Sequence, residues 1–117
     1  MTAASFRELK VWRQSIVLTK EIYQLTSRMP SEERFGLTSQ IRRSVVSIPS
    51  NIAEGNARRT RKDYIYFLTI ARGSLAELET QLLIAQELRM IPETKPVWES
   101  IGQITRMLQA LINRLSE

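Results

Sequence analysis

Apolar residues recur at alternating spacings of three and four through four stretches of this chain, broken at Pro30, after Gly55, and at Pro92 and Pro96. A period near 3.6 is that of an α-helix with one face on a core. It disfavours β-structure, whose side chains alternate with a period of two. With four glycines and four prolines in 117 residues, there is little punctuation beyond these breaks. The simplest reading is four helices joined by short turns.

The first segment covers about residues 7–28, with Leu9, Trp12, Ile16 and Tyr23 on the face assigned to the core. Val11, Leu18, Ile22, Leu25 and Met29 form a second stripe beside it, and Pro30 ends the segment. Ser31-Glu32-Glu33 caps the next start, giving a helix over 34–56 with Leu37, Ile41, Val45, Ile48 and Ile52 inward. Pro49 lies inside that stripe at a cost of about 3 kcal/mol. Because Ile52 keeps the phase, it reads as a kink and not as a stop. Gly55 offers a left-handed C-terminal cap.

Thr60 to Asp63 resembles a capping box and opens a third helix over 61–89. Its core stripe is Tyr64, Leu68, Ala71, Leu75, Leu78, Leu82 and Ala85, and small Ala71, Gly73, Ser74 and Ala76 permit close helix approach. The fourth helix, 95–116, carries Val97, Ile101, Ile104, Leu108, Leu111 and Leu115. Alternating three–four spacing is the seam of helices crossing near +20°. The expected fold is all-α, an antiparallel up-down-up-down four-helix bundle, in a single domain of residues 1–117. Surplus apolar residues outside these seams, Val11, Leu18, Ile22 and Leu25 in the first helix and Phe67, Ile70, Ile84 and Leu88 in the third, point to contact between subunits, although a broadly buried helix would show them too.

The chain contains no His and no Cys. That excludes imidazole- and thiol-based catalysis, disulfide scaffolds, and zinc or iron–sulfur sites with such ligands. The remaining carboxylates do not converge. Glu77 and Glu79, two apart on a helix, project to different sides. Glu54 beside Asn51 and Ser50 reads as a polar network. The isolated glycines make no phosphate-cradling loop. The expectation is a non-enzyme without cofactor or metal. The longest apolar run, Tyr64 to Leu68, is far short of the ~20 residues of a membrane span. The start of the chain carries no signal-like stretch. A cytoplasmic protein with no membrane partner is expected.

The charge is confined. Between residues 42 and 62 lie Arg42, Arg43, Arg58, Arg59, Arg61 and Lys62 against one acid, Glu54, a net +5 that equals the charge of the whole chain. Localised basic charge suits an anionic partner better than general solubility does. The 58–62 run falls at the turn between the second and third helices, where guanidinium and ammonium groups fit phosphate oxygens. Arg42 and Arg43 stand about 24 Å away along a helix, so a strip could follow a duplex or a folded RNA; pairing with Glu54, Glu77 or Glu79 is the structural alternative for these two. Tyr66, least explained by the core stripe, is the candidate for stacking on a base. Nothing specifies base reading.

Four ordered blocks carry a resemblance: Phe6 to Trp12, Phe35 to Arg43, Ser47 to Gly55, and Ala71 to Leu82. Together they resemble the bacterial four-helix family of 23S rRNA intervening-sequence proteins. The resemblance implies a protomer that assembles into a homopentameric barrel with a basic surface, and a role in binding structured nucleic acid, RNA or DNA. It implies no catalytic residues. The Arg42-Arg43 pair and the residues after Gly55 match the family's basic segments. A related branch, the accessory variability protein of diversity-generating retroelements, partners a reverse transcriptase, so an assembly adaptor with a protein ligand is the second expectation.

Overall fold

A computed structural model describes residues 5–117, so the first four residues of the expected 1–117 domain lie outside it. Four helices make up the structure: α1 (Lys10–Thr26), α2 (Leu37–Asn56), α3 (Arg61–Glu87) and α4 (Lys95–Ser116). Two short 3-10 turns, Phe6–Glu8 and Ser31–Glu33, precede α1 and α2, and no strand occurs among the described residues. Each helix packs against its sequence neighbours, and α1 against α4 completes the ring; α2 and α3 form the most extensive pair. The molecule measures 48 × 24 × 19 Å. At 8–10 Å between helix axes, that cross-section is two helices wide in each direction.

The core is one cluster with contributions from all four helices, including Leu18 and Ile22, Ile41 and Ile48, Leu75 and Leu78, and Ile104 and Leu108. In α2 and α3 the expected seams are the buried ones, with Leu37 and Tyr64 at their ends only half-buried. In α4, Val97 to Leu108 follow expectation. Ile112 then takes the inward position, and Leu111 and Leu115 flank it.

In α1 the assignment of faces is reversed. Val11, Leu18, Ile22, Leu25 and Met29 fill the core, whereas Ile16 and Tyr23 are exposed and Leu9 and Trp12 only partly covered. The inward stripe is interrupted in sequence by Ser15, which is fully buried because its hydroxyl donates to the Trp12 carbonyl at 2.6 Å. A self-satisfied serine can replace an apolar residue on an inward face. The residues before α1 also depart from expectation, since Leu9 is extended and the helix starts at Lys10.

The helix ends are set by local chemistry. Ser31–Glu33 forms a separate turn; it does not begin α2. The Glu33 carboxylate instead accepts from the Leu37 N–H at 3.1 Å, so the acid caps α2 from four residues upstream. The helix continues unbroken through Pro49. Gly55 is not a left-handed cap: it is buried in the last turn of α2, and no glycine has positive φ. A Cβ on Gly55 would stand 2.9 Å from Phe67 Cβ and 3.2 Å from the Tyr64 carbonyl, so the glycine permits close approach of α3. Ser47 and Ser74 meet at 2.8 Å across the same pair. Of the other small residues, Ala71 is buried there, while Gly73 and Ala76 face outward. Thr60 caps α3 by accepting from the Asp63 N–H at 3.1 Å. α3 ends at Glu87, two residues earlier than expected, because Arg89 turns the chain with φ 59°.

Candidate nucleic-acid interface

The seven candidate residues fall at the two ends of α2. Arg42 and Arg43 lie in its second turn. Arg58 and Arg59 follow its last residue, and Arg61, Lys62 and Tyr66 open α3.

Arg42 is committed to the fold. Its Nε donates to Thr26 Oγ1 at 2.9 Å and its Nη2 to the Tyr23 carbonyl at 3.3 Å, while the guanidinium lies 4.5 Å from the centre of the Tyr23 ring. None of Glu54, Glu77 and Glu79 pairs with it. Its partners are a hydroxyl and a last-turn carbonyl of α1, where a cation complements the negative end of the helix dipole. Arg43, on the next position of α2, is exposed and makes no ion pair among the described residues.

At the other end, Arg58 forms an i,i+4 pair with Glu54 at 3.0 Å and covers the Phe67 ring at 4.7 Å. Both charged groups are about half exposed, so the pair is worth only a few tenths of a kcal/mol, ~0.3–0.5. Arg61 donates to the Glu117 carbonyl at 3.0 Å, linking the start of α3 to the end of α4. Arg59 and Lys62 are exposed and have neither hydrogen bond nor ion pair among the described residues. Of the six basic candidates, these two and Arg43 have no side-chain hydrogen bond or ion pair among the described residues. Tyr66 is 61% exposed, its ring edge-on to Phe67 with centroids 5.2 Å apart. Tyr64 instead accepts a hydrogen bond from Asn56 at 3.2 Å and packs against the core.

Two further basic or aromatic residues join the Arg42 end. Arg34 and Phe35 line a surface groove together with Tyr23, Thr38, Ser39, Arg42, Arg43 and Val46. Phe35 is the most exposed large apolar residue, at 89%. The signal for it in the sequence is an aromatic out of phase with the helical stripe, between Arg34 and Gly36 in a short connection. The acids provide no comparable constellation. No group of three or more carboxylates is placed to hold a metal ion among the described residues. No described helix is long and apolar enough to cross a membrane.

A crystal structure at 1.70 Å of a protein of unknown function of the S23 ribosomal protein family, from Bacteroides thetaiotaomicron, superposes with a TM-score of 0.80. The two share 26% identity over 88% of this chain and 95% of that one. Among curated proteins, none matches this sequence. The family described as 23S rRNA-intervening sequence protein matches residues 7–110, nearly the whole of the four-helix region. With that extent of match and the shared fold, the chain belongs to the family of 23S rRNA-intervening sequence proteins.

Proposed function

We propose that this chain is a non-enzymatic, cytoplasmic protein, an antiparallel four-helix bundle that assembles with copies of itself into a pentamer and binds structured RNA or DNA through phosphate contacts. The observation that carries the reading is the confinement of the net charge to residues 42–62, together with the lack of acidic partners for Arg43, Arg59 and Lys62. Uncompensated cations at exposed positions recruit phosphates with release of counterions, which makes affinity steeply salt-dependent. Assembly would multiply the basic surface and add avidity that a single protomer lacks.

The test is fluorescence anisotropy with a structured RNA and a duplex DNA between about 50 and 200 mM salt. Affinity should fall by orders of magnitude if ~6–10 phosphates are contacted. Replacing Arg58, Arg59, Arg61 and Lys62 together by Ala should remove most of it, and unchanged affinity would overturn the assignment. Light scattering at micromolar concentration checks assembly, since a mass of 13.5 kDa would mean a monomer.

A second reading, an adaptor for a protein such as a reverse transcriptase, is favoured by the exposed apolar residues Leu83, Ile84 and Leu88 near the end of α3. Capture of a partner that survives nuclease and high salt would support it.

A further inference from the structure

The groove at the start of α2 combines features that the basic run at residues 58–62 does not. It is an open groove of about 480 Å³. Three arginines line it, Arg34, Arg42 and Arg43, and no carboxylate does. The nearest acids in sequence, Glu32 and Glu33, are on the preceding turn, and the Glu33 carboxylate is turned toward the Leu37 N–H. Two aromatic rings, Tyr23 and Phe35, also line it, each with an arginine over its face, at 4.5 Å for Arg42 on Tyr23 and 5.4 Å for Arg34 on Phe35.

The two aromatic–arginine pairs differ in what they leave available. Arg42 uses two of its three nitrogens to bind α1, so this pair is a fixed wall. Phe35 and Arg34 are both exposed. An almost fully exposed phenylalanine costs hydration free energy with no packing return within the protomer. Arg34 and Arg43 both have guanidinium groups without hydrogen-bond or ion-pair partners among the described residues. Ser39 adds an exposed hydroxyl in the first turn of α2, where the helix dipole favours negative charge, whereas Thr38 is buried and its hydroxyl donates to Met29 Sδ at 3.5 Å.

We infer that this groove binds single-stranded nucleic acid, with a base stacked on Phe35 and the adjoining phosphates held by Arg34 and Arg43. An aromatic platform interleaved with unpaired basic groups is the arrangement that recognises an unpaired nucleotide, since every base has a π-face and carries a phosphate beside it. A duplex presents its phosphates but keeps its bases stacked, so it cannot use Phe35. The inference rests on the nucleic-acid reading above and adds to it a preference for unpaired segments such as loops and ends. Arg42 acts as a positioning residue, holding Tyr23 and the groove wall.

The test is anisotropy with a fluorescein-labelled single-stranded hexaribonucleotide and, in parallel, a 12-base-pair duplex. Phe35→Ala should weaken hexamer binding roughly tenfold with an unchanged salt slope, as loss of one stacked base does, and should leave duplex affinity within about twofold. Phe35→Trp should restore hexamer binding, a rescue that a merely structural effect would not show. Arg34→Gln with Arg43→Gln should lower the hexamer salt slope. Hexamer affinity unchanged in Phe35→Ala, with salt-dependent duplex binding intact, overturns this inference and leaves the proposed function standing. Loss of both polymers in the wild-type protein overturns both. If Phe35→Ala instead changes the mass in light scattering and hexamer binding is unaffected, Phe35 is a contact between copies and the inference falls.

Discussion

Arg42 Nε donates to Thr26 Oγ1 at 2.9 Å, and the same hydroxyl donates onward to the Ile22 carbonyl at 2.7 Å. Thr26 is buried, so the chain of two hydrogen bonds ties the second turn of α2 to the last turn of α1 through an interior group. Arg42→Met should lower stability by about 1–2 kcal/mol, since hydrogen bonds from a charged donor are stronger than neutral ones. Arg43→Met, on the exposed neighbouring position, should stay within about 0.5 kcal/mol. Thr26→Val combined with Arg42→Met should cost less than the sum of the two single changes, because they share one interaction. Urea midpoints at fixed protein concentration, with an unchanged m-value, measure all four variants.

The reversed faces of α1 give a second prediction. Ile22 is fully buried whereas Ile16 is 41% exposed, although the two lie on one helix six residues apart. Ile22→Ala should cost about 2–5 kcal/mol through lost burial and a cavity. Ile16→Ala should cost less than about 1 kcal/mol of protomer stability. Equal losses in thermal or urea unfolding would mean that both stripes of α1 are packed.

Four helices, their order and most of their core were legible because periodicity states which residues share a face. In α2 a single stripe left one choice, and the buried residues follow it; in α3 the seam from Leu68 to Ala85 is buried, whereas the surplus Ile84 and Leu88 are exposed. In α1 two stripes compete, and periodicity cannot rank them. The deciding residue is Ser15, whose polarity argues for exposure until its bond to the Trp12 carbonyl is known. Gly55 is ambiguous in sequence for a related reason: a glycine at a helix end signals either a left-handed cap or a close approach, and only the neighbouring Phe67 and Tyr64 distinguish the two. In the candidate interface the basic residues were visible as charge. Their partners were not, because Arg42 binds a hydroxyl and a carbonyl 16 and 19 positions upstream. Phe35 shows why exposure is the harder quantity to read, since an aromatic in a short connection is usually buried.

The end of α3 carries a third prediction. The Met90 N–H bonds to the Ala85 carbonyl and the Arg89 N–H to the Gln86 carbonyl, both at 2.9 Å, the two bonds of a Schellman motif. Glycine is the usual residue at its left-handed position, but Arg89 occupies it with φ 59°. A side chain there costs about 1–2 kcal/mol. Arg89→Gly should therefore stabilise the protein by about 0.5–1 kcal/mol after the greater freedom of the unfolded glycine is counted. A lower unfolding midpoint in the variant would show that the Arg89 side chain makes a compensating contact.

Gly55 and Gly73 make a matched pair, each within a helix but with opposite surroundings. A Cβ at Gly73 meets nothing within 4 Å, whereas one at Gly55 would press on Phe67 Cβ and the Tyr64 carbonyl. Gly73→Ala should gain up to about 1 kcal/mol from helix propensity alone. Gly55→Ala gains the same propensity but must separate α2 from α3, and overpacking of this kind costs about 1–3 kcal/mol. The expected net result is a loss of about 1 kcal/mol, read from the same unfolding curves.

The different commitments of the cations around residues 58–62 separate their expected effects on nucleic-acid binding. Arg58 is paired with Glu54 at 3.0 Å and lies over Phe67, and Arg61 is held by the Glu117 carbonyl. Arg59 and Lys62 have no such partners among the described residues. An unpaired cation reaches a phosphate without first giving up an interaction, so it contributes its full share to counterion release. Arg59→Ala and Lys62→Ala should each reduce the slope of log affinity against log salt by about 0.7–0.9. Arg58→Ala should reduce it less, because it removes a charge already compensated in part by Glu54. Glu54→Gln should then raise affinity modestly, most clearly at low salt, where exposed charges act over the longest range. Anisotropy titrations of the four variants at about 50, 100 and 200 mM salt provide the slopes. A larger slope change for Arg58→Ala than for Arg59→Ala or Lys62→Ala would mean that Arg58 leaves Glu54 and turns to the phosphate when nucleic acid binds.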